Sequence, residues 1–102
     1  MERTQPPDID EALRALIEQP SYAAQVLTVA ARVLRLQGSA DPVTPWTVHD
    51  ALTTGEAAVL DSLPEAVRAD ASARARNTLP QITRISRGEY ALRLQAAAKE
   101  LG

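Results

Sequence analysis

Residues 21–38 read SYAAQVLTVAARVLRLQG, and this stretch decides the fold. Ser21 is of a type that caps the start of a helix, and Gly38 is of a type that ends one. The larger side chains between them recur at helical spacing, at Tyr22, Val26, Val29, Val33 and Leu36. Further leucines and alanines make the segment apolar on most of its circumference. We therefore expect a helix that is either central and buried or one half of a dimer seam.

Capping signals predict further helices on both sides of this segment. Asp8 and Glu11 form a capping-box pattern, which opens a helix that Pro20 ends. Downstream, similar signals predict short helices over 44–52 and 56–63, separated by residues 53–55 with Gly55. A Ser62 cap opens a helical segment over 62–79, which Asp70 or Ser72 can alternatively restart as a separate helix. Residues 1–7 are predicted to be a disordered tail, and residues 8–102 a single helical domain.

The C-terminal part of the chain allows two predictions. Residues 82–94 fit a β-hairpin, because Tyr90, Leu92 and Leu94 alternate and Gly88 suits a tight turn. The same region also fits a helix that Ser86 caps and that runs to Gly102. The fold class is therefore mainly α, a small helical domain that either ends in a C-terminal β-hairpin or is an all-α bundle.

The composition limits the core and the class of protein. The chain has 102 residues, of which 45% are hydrophobic, with no Phe, one Trp and no Cys. Disulfides and cysteine nucleophiles are therefore excluded. Trp46 is predicted to anchor the core, with ligand stacking or an interface as the alternative. The N-terminus lacks a signal-peptide pattern, and the 22–36 stretch is shorter and more polar than the ~20 apolar residues of a membrane span, so we expect a cytoplasmic protein with no membrane partner.

The charge is unevenly distributed. Residues 1–65 carry four Arg against ten Asp and Glu, a net −6, whereas residues 66–94 carry six Arg against two acidic residues, a net +4. Such asymmetry is typical of a basic surface that faces a partner, although a normally solvated set of helices explains it equally well.

No catalytic or cofactor pattern is present in the sequence. His49 is the single histidine, and its spacing assigns it neither a nucleophile nor an orienting group. The four glycines match neither a dinucleotide fingerprint nor a phosphate-binding loop. We predict no enzyme activity, no catalytic residues, no cofactor and no metal site.

Residues 44–94 resemble a winged helix-turn-helix domain. Arg87-Gly88-Glu89-Tyr90-Ala91-Leu92 is similar to the pattern of such a wing, and residues 72–79 look like a short recognition helix. Residues 46–52 look like an earlier helix of the module. The resemblance differs at Pro80, which interrupts the junction between recognition helix and wing, and in the long segment between residues 52 and 72.

The resemblance implies DNA binding by a helix in the major groove. The residues it assigns to bases and phosphates are Arg74, Arg76, Asn77, Thr78, Gln81, Arg84 and Arg87. The first functional hypothesis is thus a small DNA-binding regulator or accessory factor that acts as a homodimer. The second is an all-helical protein-interaction module, such as an adaptor, inhibitor or antitoxin-like partner.

Overall fold

The computed structural model describes residues 20–102, and within them the chain is helical with no β-strand. The helices are α1 (Tyr22–Leu36), α2 (Pro45–Leu60), α3 (Glu65–Asn77) and α4 (Arg87–Leu101). The prediction of a mainly α protein is confirmed, and the all-α alternative fits. The predicted tail over 1–7 and the helix that opens at Asp8 lie outside the described residues.

Helix α1 is the central element, and the predicted local signals set its start and its end. The Ser21 hydroxyl accepts a hydrogen bond from the Ala24 amide at 3.1 Å. Gly38 follows the helix with a φ of 124°, a left-handed conformation that side chains resist. Helices α2 and α4 pack along the length of α1, whereas α3 touches it less.

The buried side of α1 differs from the predicted stripe. Val26, Leu27 and Leu34 are fully buried, but Leu36 is 81% exposed and Tyr22 is also exposed. The prediction was wrong at both ends of the stripe because it ranked positions by side-chain size. The buried side of α1 carries four alanines together with these three larger residues, so the core forms on a face that is rich in alanine.

Helix α2 is continuous where two short helices were predicted. Thr44 caps it, with its hydroxyl accepting from the Thr47 amide at 3.2 Å. Gly55 does not break the helix, because it lies buried against the backbone of α1: a Cβ placed there would sit 2.7 Å from the carbonyl oxygen of Val26. Trp46, predicted as a core anchor, is 76% exposed. That prediction is wrong, because Trp46 lies in the first turn of α2 with most of its indole in solvent.

The C-terminal region adopts the helical alternative, and residues 87–94 of the possible hairpin belong to helix α4. The Ser86 hydroxyl accepts from the Glu89 amide at 3.1 Å, as the helical alternative required. The buried face of α4 consists of Tyr90, Ala91, Leu94, Ala97 and Ala98. The hairpin over 82–94 is therefore a wrong prediction. A capped run of good helix formers and a helical apolar face outweigh the short alternation.

Helix α3 is the most lightly anchored of these helices. Pro64 occupies its N-cap position without a side-chain cap bond, so the predicted Ser62 cap is wrong. Only Ala71 and Ala75 of α3 are buried. Among residues 20–102, every helix is too short or too polar to cross a bilayer.

Candidate functional site

The residues predicted to bind DNA lie between the last turns of α3 and the first turn of α4. Arg74, Arg76 and Asn77 belong to α3, and Thr78 follows it. Gln81 and Arg84 lie in the connection, and Arg87 begins α4. The Arg87-to-Leu92 pattern assigned to a wing is thus helical, and several of the other residues have partners inside the fold.

Arg76 joins α3 to α2. Its guanidinium donates two hydrogen bonds to the carboxylate of Glu56, each 3.1 Å long. Ser72 donates a third bond to the same carboxylate. Burial by itself raises the pKa of Glu56, but the bonds from Arg76 and Ser72 and the nearby positive charge outweigh burial and hold that pKa below its ordinary value. Arg76 therefore takes part in a polar contact that connects α2 and α3.

Arg87 holds the loop between α1 and α2. Its guanidinium donates to the carbonyl oxygens of Gln37 at 3.0 Å and Pro42 at 3.3 Å, and lies 3.9 Å from the Asp41 carboxylate. The backbone amide of Arg87 also donates to the Asp41 carbonyl at 2.8 Å. The Arg87 side chain is only 20% exposed. It therefore stabilises the fold, and little of its guanidinium is accessible to a phosphate.

The remaining predicted residues are more accessible. Arg74 pairs with Asp70 at 3.2 Å on the exposed surface of α3, and the Thr78 hydroxyl donates to the Arg74 carbonyl. Asn77, Gln81 and Arg84 are exposed. Within the described part of the chain, the side chains of those three make no hydrogen bond or ion pair.

A second candidate site is an apolar groove between α1 and α4. The two helices run antiparallel: the Ser21 amide donates to the Gly102 carbonyl at 2.8 Å at one end, and the Gly88 amide donates to Ser39 at 2.9 Å at the other. The groove encloses about 630 Å³. The residues that line it include Ala24 and Thr28 from α1 and Leu92, Gln95, Ala96 and Lys99 from α4.

The groove combines an exposed leucine with small neighbours. Leu92 is 62% exposed and is the largest apolar side chain of the groove lining. Ala24, Ala96 and Ala98 contribute only methyl groups to the lining. Because these side chains are small, the backbone of another helix can approach both α1 and α4 closely.

The polar side chains of the groove lining offer donors at Gln95 and Lys99 and an acceptor at Thr28. Arg35 donates to the Oε1 atom of Gln95 at 2.7 Å, which leaves the amide nitrogen of Gln95 to donate elsewhere. The Thr28 hydroxyl donates to the Ala24 carbonyl at 2.9 Å and so has no further proton to donate. Lys99 supplies the single ionisable side chain of the lining. The groove thus favours an occupant that brings acceptors.

Two smaller clefts flank α3. One, of about 370 Å³, separates α3 from the start of α1 and includes Asp70 and Arg74. The other, of about 500 Å³, separates α3 from α2 and includes Glu56 and Arg68. Both carry charged residues of both signs. Elsewhere in residues 20–102, no three His, Asp or Glu side chains converge as metal ligands would.

Sequence reasoning missed the groove, although one signal for it was available. Along the helical alternative for residues 87–101, Tyr90, Leu94, Ala97 and Leu101 form one face, and Leu92 falls on the opposite face. A single exposed leucine is common on protein surfaces, so this signal becomes specific only with the apolar groove beside it.

Comparison of the chain with protein-family models, curated proteins and solved structures found no match.

Proposed function

We propose that this chain is a protein-interaction module whose α1–α4 groove receives an α-helix of another protein. The observation that carries the proposal is the exposed Leu92 in an open apolar groove of about 630 Å³. Helix-in-groove binding uses such a site, because an amphipathic helix places residues at spacings of three, four and seven into it.

The dimensions and charge of the groove suit this occupant. From Leu92 to Lys99 the lining spans seven residues of α4, or about 10 Å, which matches two turns of a bound helix. The alanines let that helix lie close to α1 and α4, and Leu92 offers it an apolar anchor. Lys99 adds a positive charge that complements an acidic partner.

Site-specific photo-cross-linking tests the proposal. A photoreactive amino acid replaces Leu92 in the full chain, expressed in its native cells, and the cross-linked segment is identified by mass spectrometry. The matched control carries the same group at Arg93, the next residue of α4, which is exposed outside the groove. We expect a cross-link at position 92, and not at 93, to a segment of another protein with the pattern of an amphipathic helix.

The captured segment must then bind as a peptide. A synthetic copy is expected to bind the wild-type chain and to lose at least about tenfold in affinity for Leu92→Gln, since the apolar contact is lost and a buried amide without a hydrogen-bond partner is costly. A cross-link only to a second copy of the chain, or only to its own residues 1–19, would refute the proposal. So would a peptide that binds both forms equally well.

DNA binding remains the second candidate function. What favours it is that Asn77, Gln81 and Arg84, residue types able to contact bases and phosphates, are exposed together around the connection between α3 and α4. Fluorescence anisotropy with mixed-sequence duplex DNA at several salt concentrations tests it. Micromolar binding that falls steeply with salt and weakens in Arg84→Ala supports this candidate, and no binding at low salt excludes it. The homodimer stays a prediction that the position-92 cross-link also tests.

A further inference from the structure

We infer that the helix received by the α1–α4 groove is acidic and places a carboxylate against Lys99 and Gln95. This inference rests on the proposed function, and it names the chemistry of the partner. Its basis is the mismatch between donors and acceptors among the polar groups that line the groove.

The groove offers donors that the fold does not use. Gln95 accepts from Arg35 through Oε1, and within residues 20–102 its amide nitrogen donates to no acceptor, which leaves two amide hydrogens for an occupant. Lys99 lies four residues further along the same helix face and brings three donors. Within residues 20–102, no carboxylate lies at ion-pair distance from Lys99. A carboxylate is the side chain that satisfies both groups at once.

The potential acceptors on the lining are fewer. The Thr28 hydroxyl keeps its acceptor capacity but has given its proton to the Ala24 carbonyl. Acidic residues of α4 lie beside the groove and not in its lining: Glu89 pairs with Arg93 at 3.7 Å, and Glu100 is exposed next to Lys99.

The flank along α1 is also positive. Arg32 is exposed one helical turn beyond Thr28, on the same side of α1. Arg35, whose guanidinium fixes Gln95, follows it. A bound helix therefore meets Lys99 at one end of the groove and two arginines near the other. We expect its acidic residues to be separated by two to three turns, with apolar residues between them that face Leu92 and Ala96.

Selection from a displayed peptide library tests this inference without knowledge of the natural partner. The library encodes amphipathic 14-residue helices with a fixed apolar face and randomised flanking positions. It is selected on the full wild-type chain, and binders of Leu92→Gln are removed, so that the survivors depend on the apolar contact in the groove while the charge of the chain stays the same. We expect the flanking positions of the survivors to be enriched in Asp and Glu over Lys and Arg.

Variants of Lys99 give the matched controls. Lys99→Arg retains the preference for acidic peptides, whereas Lys99→Glu weakens the selected acidic peptides by about twofold to fivefold, the size of an exposed ion pair. The weakening is expected to shrink at high salt. A substitution at Arg93, outside the groove, is expected to leave affinity unchanged.

The outcomes separate the two proposals. Groove-dependent peptides with neutral or basic flanks, or an affinity that does not respond to Lys99→Glu, overturn the inference about charge and leave the groove as an interaction site. A selection that yields no peptide dependent on Leu92 overturns the helix-binding function itself.

Discussion

Replacement of Gly55 by alanine gives the sharpest test of the fold. In an exposed helix this change stabilises, because alanine is the better helix former by about 1 kcal/mol. Here the added Cβ would lie 2.7 Å from the Val26 carbonyl oxygen and 3.4 Å from Val26 Cγ1. Ordinary van der Waals contact begins near 3.4 Å, so α1 and α2 must separate by roughly 0.7 Å at this point.

The clash is expected to outweigh the gain in propensity. Overpacking of a filled interface costs about 1–3 kcal/mol, and we expect the upper part of that range, about 2–3 kcal/mol, because the obstructing atom here is backbone that cannot rotate away. The net expectation is a loss of about 1–2 kcal/mol in the free energy of unfolding. For a domain of this size that corresponds to a fall of about 4–16 °C in Tm.

Thermal and urea unfolding followed by far-ultraviolet circular dichroism measure this loss. Thr54→Ala is the matched control, since Thr54 is the exposed neighbour of Gly55 on α2 and its replacement is expected to stabilise by a few tenths of a kcal/mol. A Gly55→Ala variant at least as stable as the wild type would show that α1 and α2 do not approach each other at Gly55, and the packing described above would be wrong.

Three further predictions concern the polar contacts of the fold. Because the pKa of Glu56 is lowered in the folded state, the stabilising effect of its carboxylate is present above the ordinary glutamate pKa of about 4.3 and is lost as the pH falls below that value. The free energy of unfolding of Glu56→Gln, measured in urea, should therefore change less between about pH 5 and pH 3 than that of the wild type. Burial raises the pKa of Tyr90 to about 12, so the stability that depends on the neutral phenol is present below about pH 10 and is lost as the pH rises through 12. Tyr90→Phe should lower the free energy of unfolding by about 1 kcal/mol at neutral pH, because the hydrogen bond to the Pro80 carbonyl is lost. Between about pH 10 and 12, however, the stability of this variant should fall less than that of the wild type. Arg87→Ala should lower the free energy of unfolding by about 1–3 kcal/mol, because its hydrogen bonds to the loop carbonyls are lost, whereas Arg84→Ala should leave that free energy unchanged. Equal stability of the two variants would contradict the structural role assigned to Arg87.

The helices that carry their own start and stop signals could be predicted from the sequence. Ser21, Gly38 and Ser86 act on the backbone within a few residues of themselves, so α1 and the helical alternative for α4 were both accessible. Gly55 was misread as a separator because its role depends on how close another helix comes. The choice between a hairpin and α4 likewise depended on which face packs against α1, and alternation over a few residues does not reveal that.

The predicted site shows the same limit. Arg76 and Arg87 were assigned to DNA because of their residue type and their position in a basic stretch. Their partners lie far away in the chain: Glu56 is 20 residues before Arg76, and the Gln37 carbonyl is 50 residues before Arg87. A sequence read locally shows an arginine but not the carbonyl or carboxylate that the fold brings to it.

The small side chains of the core also determine how this protein tolerates mutation. Ten of the nineteen buried hydrophobic residues among those described are alanines. In a core of leucines and phenylalanines, truncation is the damaging change; here many positions have almost nothing to truncate, and enlargement is what the packing cannot absorb. Random substitution should therefore be tolerated unequally: changes to glycine or serine in the core should be milder than changes to valine or leucine. At Ala96, which is exposed in the groove, a larger side chain fits without disturbing the core, so this is a position where sequence drift can alter binding preference while the fold persists.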